Sequence, residues 1–463
     1  MSTKNNSQGL DFVTPLMEMA QAMLIMTAQV LFMSVKYFWR KLIPQKEKLQ
    51  KIDRSQLSVA KTTSRSSALG IDTRTKEPVY LFDFDFRRHS FIVGAAGFGK
   101  TNLITILQEH ALKSNKPVIF IDPKGDLGAL NSFKKLCEKW GRTCHVFSEH
   151  YKDSMALNPL RDGTVTQICE RIMNSFEWTE PHYRTCSSQA LYRVVSKIKK
   201  EEKNVTLERI YYELREILDK DNSGIYNKLE GIMHSDFAPV LSSDEAKTFK
   251  EIRDERSCLY VGLSALGYPE IAKTLGKFFL GDLFLNAYDA LKSNEGHEAL
   301  RNPISVFIDE FGALVTPEFL ELQNKCRGAG IELTMAVQTA SDIDRICPAL
   351  TSQIIENAGN IFVLKQRLDS AASLFADAIG TVLTKKKTYR FEGDSRSEMG
   401  SERESHELIV HPDVIKNLRI GQCVALRHSP TKVNLVNIRN GETIQFKPKP
   451  QVTAQTKRSK AFE

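Results

Sequence analysis

Five short stretches carry residues of the type and spacing that do chemistry. In "GAAGFGKT" the residues Gly94, Gly99, Lys100 and Thr101 satisfy G-x-x-x-x-G-K-T. Such a loop turns backbone N–H groups and a helix N-terminus toward phosphates. The candidate nucleoside triphosphate cradle is therefore Gly94, Ala95, Ala96, Gly97, Phe98, Gly99, Lys100, Thr101 and Asn102. Lys100 has the reach for the β- and γ-phosphates, and the Thr101 hydroxyl suits Mg²⁺. "VFIDE" is an apolar run ending in Asp309 and Glu310. Asp309 is a candidate metal ligand, through water, and Glu310 a candidate for orienting and activating the attacking water. Two adjacent carboxylates at a strand end suit hydrolysis better than a switch GTPase.

Gln338 ends "LTMAVQ", where an amide can touch the γ-phosphate or simply cap the strand. Arg327, in "KCRGAG", is either an arginine finger toward a neighbouring subunit or a surface arginine. "FIDPKGDL" ends a strand in Asp122 and turns at Gly125. It reads equally as a turn with a helix cap from Asp126 or as a part of the nucleotide site. Lys100, Glu310, Arg327 and Gln338 are the candidate catalytic residues, with Thr101 and Asp309 for the metal.

These residues need strands and helices to position them. "HSFIVG" reads as a buried strand entering the Gly-rich turn, and "KTNLITILQEHALKS" as the helix behind it. "PVIFID" and "CHVFS" continue a β-α-β pattern of parallel strands. From about 162 to 250 the period becomes helical, in "QICERIMNSF", "SSQALYRVVSKIKKEE", "TLERIYYELREILDK" and "IYNKLEGIMHS". Strands resume with "CLYVGL", "ISVFIDE", "IELTMAVQ" and "NIFVLKQ". A charged hairpin-like excursion follows at 384–410, and "GQCVALRH" and "KVNLVNI" add late strands.

The eight cysteines form no CxxC or zinc spacing, which predicts reduced, mostly buried thiols and no cysteine metal site. The net charge is +8 over 463 residues. Between Lys36 and Arg65 there are nine basic residues and two acidic ones, so this stretch carries almost all of it. The rest of the chain is near neutral, and the basic balance is weak evidence for a DNA-coated surface.

The basic stretch follows "MAQAMLIMTAQVLFMSV", uncharged and apolar on all helical faces. Extended back to Val13, it has about the length that spans a bilayer, roughly 20 residues. The cations after it place the bulk of the chain in the cytoplasm. The competing reading is a Met-rich packing helix, which Glu18 and two glutamines support.

Taken in order and spacing, "GAAGFGKT", "IDPKGDL", "IDEFGAL" and "RGAGIELTMAVQTASDI" resemble the type IV secretion coupling proteins of the VirD4, TraD and TraG kind. That family belongs to the FtsK/HerA group of motor ATPases, and the resemblance covers roughly residues 75–440. It implies an α/β fold, a RecA-like P-loop nucleotide-binding domain with an inserted all-α domain, to which the apolar segment at 13–35 adds a single N-terminal transmembrane helix. Together with composition, the expected divisions are a membrane anchor (1–36), a basic linker (37–75) and the first RecA-like part (76–161). An all-α domain (162–250), the second RecA-like part (251–449) and a basic tail (450–463) follow.

The resemblance further implies ATP and Mg²⁺ as cofactors and a homo-hexameric ring at the bacterial inner membrane. Its expected partners are single-stranded DNA held without sequence preference, a relaxase or relaxosome, and components of the secretion channel. It puts Arg327, eleven residues before Gln338, at the finger position. The chain departs from the family in offering one candidate membrane helix rather than two, and no long C-terminal extension. Three alternatives remain: a receptor for protein export, an FtsK-like double-strand DNA translocase, and an assembly scaffold that only binds ATP. The complete Lys100, Thr101, Asp309 and Glu310 set argues against the scaffold.

Overall fold

A computed structural model describes residues 66–441, apart from 242, 293–295, 317–318, 349, 393–394 and 429–430. The predicted membrane segment at 13–35, most of the 37–75 linker and the 450–463 tail lie outside the described residues. Among the described residues no helix is long and apolar enough to cross a membrane.

Thirteen strands are described: β1 (Ser66–Asp72), β2 (Pro78–Phe82), β3 (Ser90–Val93), β4 (Val118–Asp122), β5 (Cys144–Phe147), β6 (Cys258–Gly262) and β7 (Ile304–Ile308) come first. β8 (Ile331–Val337), β9 (Asn360–Val363), β10 (Thr381–Glu392), β11 (Ser395–Leu408), β12 (Gln422–His428) and β13 (Thr431–Ile438) complete them. Eleven form one sheet in the order β2-β1-β13-β12-β9-β3-β8-β7-β4-β6-β5. From β9 to β5 the neighbours run parallel, and β12, β13, β1 and β2 extend the sheet by antiparallel pairing. β10 and β11 pair only with each other, as the ribbon expected from the charged excursion.

β3, β4, β6, β7, β8 and β9 are buried at every position. A parallel sheet covered on both faces requires such continuous apolar runs. Their side chains alternate between two cores. Ile92, Val118, Phe120 and Tyr260 face helices α1 (Lys100–Lys113) and α2 (Leu127–Lys139), meeting Leu103, Leu107 and Phe133. Phe91, Val93, Ile119, Ile121 and Val261 face the other way, into a larger core.

That second core continues into the helical insert. Helices α3 (Val165–Ser175), α4 (Pro181–Lys200), α5 (Leu207–Glu216) and α6 (Ser223–Met233) lie between β5 and β6, where no strand is found among the described residues. Thr164 caps α3 in a reciprocal box with Gln167, each side chain accepting the other's backbone N–H. At the neck, Asn158 N donates to Lys247 O and Lys247 N to Ala156 O, so the two passages of chain hold each other. Ile168 and Ile172 of α3 join Leu283 and Ala287 of the long helix α7 (Pro269–Lys292) in one apolar cluster.

One boundary needs correction. Composition assigns residues 37–75 to a linker, yet 66–72 is strand β1, paired to β2 on one side and β13 on the other. Two of its polar residues point inward with partners. Ser67 is hydrogen-bonded to the buried His110, and Asp72 accepts from Asn434 Nδ2 at 2.8 Å. Hydrophobic periodicity registers poorly a strand in which Leu69 is the one large apolar residue buried, beside the polar Ser67 and Asp72, while Ile71 is exposed.

Candidate nucleotide-hydrolysis site

The C-terminal ends of four neighbouring strands bring the site together. In sheet order they are β3, which feeds the phosphate loop, β8, which ends before Gln338, β7, which delivers Asp309 and Glu310, and β4, which ends in Asp122. Residues far apart in sequence thus meet along one edge, the place where open α/β sheets bind ligands.

The loop turns through Gly99, whose φ of 102° is left-handed and favours glycine. Gly99 precedes α1 without a side-chain cap, so the first N–H groups of that helix are free to meet phosphate oxygens. Lys100 is buried, and its ammonium donates to Gly94 O at 2.7 Å, across the mouth of its own loop. Burial lowers the Lys100 pKa, against the pull of Glu310 and Asp309. Asn102 faces away from the cradle's centre. Its amide donates to Arg439 O at 2.8 Å and accepts from Gly441 N at 3.0 Å, tying the chain beyond β13 to α1.

Asp309 is buried, and one of its oxygens accepts the Glu310 N–H at 2.9 Å. Burial raises its pKa; Lys124 opposes this, while Glu310 and Asp122 reinforce it. Glu310 takes a left-handed φ of 44°, unusual for a non-glycine residue. That conformation turns the chain off β7 and aims its carboxylate along the strand ends. There it accepts from Gln338 Nε2 at 2.9 Å and from Lys124 Nζ at 2.6 Å. Burial works to raise its pKa, but the bonds from Lys124 and Gln338 win, and the group is held below the usual carboxylate range.

Lys124 is the residue that sequence reasoning missed. "FIDPKGDL" drew attention for its acids and glycine, and its helix-cap reading is seen directly. Asp126 caps α2 by accepting Gly128 N at 2.9 Å. Gly125, with φ 64°, sits where a Cβ would come within 2.6 Å of Ser264 Oγ. The same turn carries Lys124 to Glu310. Asp122 is held by Tyr260, whose hydroxyl donates to it at 2.7 Å. The signal for Lys124 was its place just past the buried end of β4, beside β7, which delivers Glu310, and only the strand order reveals that adjacency.

The donor set fits a magnesium nucleotide. Beyond the effect of burial, Glu310 and Asp122 both push up the pKa of Asp309, and a divalent cation beside it would relieve that repulsion. Thr101, exposed at the start of α1, and Asp309 are the residues that would hold it.

Arg327 is not brought to this site. It is exposed and follows helix α8 (Phe319–Cys326) at the N-terminal end of β8. The seven residues of β8, at about 3.3 Å each, put it roughly 20 Å from the opposite edge. Any service it gives to hydrolysis is to another copy's site.

Comparison with known proteins agrees with this plan. A family profile described as the TraM recognition site of TraD and TraG matches residues 303–419. A second, described as the central domain of the helicase HerA, matches residues 69–257 and so includes most of β1. No curated protein sequence matches the chain. Among solved structures, the bacterial conjugative coupling protein TrwBdeltaN70 superposes with a TM-score of 0.61 at 14% identity, over 82% of this chain and 91% of that one. TrwB with ADP and Mg²⁺ gives 0.59 at 13%, over 83% and 92%. VirB4 of Thermoanaerobacter pseudethanolicus gives 0.51 at 14%, over 80% and 96%. Identities this low establish the fold, while the two profiles and the ordered motifs carry the kinship. The chain is an ATPase of the HerA/FtsK class, built on the plan of the type IV secretion coupling proteins.

Proposed function

We propose that this protein is the membrane-anchored motor that couples a relaxase-bound single DNA strand to a type IV secretion channel. Six copies form a ring at the bacterial inner membrane, and ATP hydrolysis moves the strand through it during conjugative transfer. The observation that carries the reading is the division of the hydrolytic set between two sheet edges. Lys100, Glu310 and Gln338 share one edge, and Arg327 stands at the other, which suits a ring in which each subunit serves its neighbour.

In this reading ATP lies in the loop 94–102 and Lys100 leaves Gly94 O for the phosphates. Mg²⁺, held by Thr101 and Asp309, supplies neutralisation of phosphate charge. Glu310 orients water in line with the γ-phosphate and receives its proton. Gln338, bonded to Glu310, reports γ-phosphate occupancy to β8. The relaxosome contact is supported by the TraM-recognition match over 303–419. TrwB is described as a plasmid coupling protein that binds ADP with Mg²⁺, and the present chain shares its fold.

The test is the ATPase rate of the purified protein without DNA, with single-stranded DNA and with duplex, using Lys100→Ala as the blank. Stimulation by single strands that vanishes in the blank supports conjugative pumping. Preference for duplex favours an FtsK-like translocase, and indifference to DNA favours a receptor for protein export.

A further inference from the structure

Three of the chain's eight cysteines, scattered in sequence, meet in space. Cys144 begins β5, the outermost strand of the parallel part of the sheet, and Cys258 begins β6 beside it. The two are register partners, so their Cα atoms face each other across neighbouring strands. Adjacent strands lie about 4.8 Å apart, inside the span of about 4.4–6.8 Å that a disulfide bridges. Cys137, in the last turn of α2, packs into the same apolar cluster. All three are free thiols; Cys137 and Cys258 are buried, and Cys144 is half-exposed.

The surroundings set this group apart from the other cysteines. Cys169 and Cys423 are buried singly, and burial pushes both thiols up to about 12, which makes them inert. Cys258 goes the other way. A hydrogen bond from Cys137 and the nearby Arg142 guanidinium outweigh its burial and favour the thiolate. Arg142 is itself held in place, donating to Asn115 Oδ1 at 2.5 Å and to Arg256 O. A half-exposed thiol beside a thiolate-favouring partner and a fixed cation is the microenvironment of an oxidisable cysteine pair.

We propose that Cys144 and Cys258 form a peroxide-sensitive dithiol site at the open edge of the nucleotide-binding sheet. Hydrogen peroxide reaches Cys144, whose sulfur attacks a peroxide oxygen, breaks the O–O bond and becomes a sulfenic acid; the other oxygen leaves as water. The Cys258 thiolate then attacks the sulfenic sulfur, closes the S–S bond and expels a second water. Two thiols are oxidised for one peroxide reduced. The bridge would staple β5 to β6 two residues from Tyr260, which holds Asp122 at the site.

The experiment treats the full-length protein with graded hydrogen peroxide, blocks the remaining thiols, and maps disulfide-linked peptides by mass spectrometry without reductant. The expected product joins the Cys144 and Cys258 peptides, two hydrogens lighter than their sum. It should form before the half-exposed single cysteines Cys186 and Cys347 are oxidised, and disappear on reduction. Cys144→Ser should abolish it with the thermal unfolding temperature unchanged, whereas Cys186→Ser should leave it intact. Oxidation of Cys144 no faster than Cys186 and Cys347, or linkage through Cys137 instead of Cys258, would overturn the proposal.

Discussion

Lys124 Nζ and Glu310 Oε1 stand 2.6 Å apart, an ion pair between residues 186 positions apart that links the ends of β4 and β7. Lys124 is half-exposed while Glu310 is largely covered, so the pair owes more to holding Glu310 in place than to raw Coulomb energy. The consequence is a coupled loss. Lys124→Met removes a charged hydrogen bond of about 1.5 kcal/mol, which predicts a roughly tenfold lower kcat with nucleotide Kd unchanged. Glu310→Gln alone should cost about 10²- to 10⁴-fold in kcat. Adding Lys124→Met to Glu310→Gln should then cost little more, since residues acting through one contact are not additive. Full additivity of the two in steady-state kinetics would show that Lys124 acts elsewhere.

His89 offers a pH test remote from the chemistry. It is buried beneath β3, donates from Nε2 to Gln323 O at 2.9 Å, and accepts from Leu333 N at 3.1 Å through Nδ1. Burial lowers its pKa from 6.5 to about 4, with Arg327 adding to the effect. A depressed histidine pKa means that the folded state prefers the neutral ring. Its stabilisation is complete above pH 6.5 and drains away as pH falls toward 4. His89→Leu leaves the Leu333 N–H unsatisfied, at about 1–3 kcal/mol. The unfolding temperature of the variant should therefore trail the wild type most at pH 7 and above, and the gap should narrow toward pH 4. A gap independent of pH would refute the assignment.

How much of this was legible in the sequence depended on where the information lay. The phosphate loop and "VFIDE" are contiguous, and each element that carries them is a run of apolar residues, so both could be read directly. β3, β4, β6, β7, β8 and β9 declare themselves because burial on two faces makes each of them mostly apolar, with only isolated polar positions such as Ser305 and Glu332. β1 does not, because Ser67 and Asp72 are buried against His110 and Asn434. The Lys124–Glu310 pair and the convergence of Cys137, Cys144 and Cys258 follow from strand order, which local periodicity does not contain.

β1 can be tested as part of the folded body rather than a tether. Leu69 is fully buried in the core that α1 and α2 cover, and Arg439 Nε donates to Ala68 O at 2.6 Å. Leu69→Ala should destabilise the protein by about 2–5 kcal/mol, the range for a buried leucine truncation. A chain starting at residue 64 should unfold cooperatively. One starting at residue 76 should be less stable and prone to association, because losing β1 leaves an edge of β13 unpaired. Equal denaturant midpoints for the two would return residues 66–72 to the linker.

Arg327 provides the sharpest test of the ring. Because it sits at the N-terminal end of β8, away from its own phosphate loop, Arg327→Ala should leave nucleotide binding intact. If it serves a neighbour, hydrolysis should fall by as much as 10³- to 10⁵-fold. Lys100→Ala should be equally inactive for a different reason: its own site is broken, but its arginine is whole. Mixing the two inactive proteins before assembly should therefore restore activity, since a Lys100→Ala subunit can offer Arg327 to the intact loop of an Arg327→Ala neighbour. Recovery should scale with the fraction of such adjacent pairs and peak near equal proportions. An Arg327→Ala protein with wild-type rates would mark Arg327 as an ordinary surface residue. A dead mixture of two well-folded variants would place the arginine's action within its own subunit.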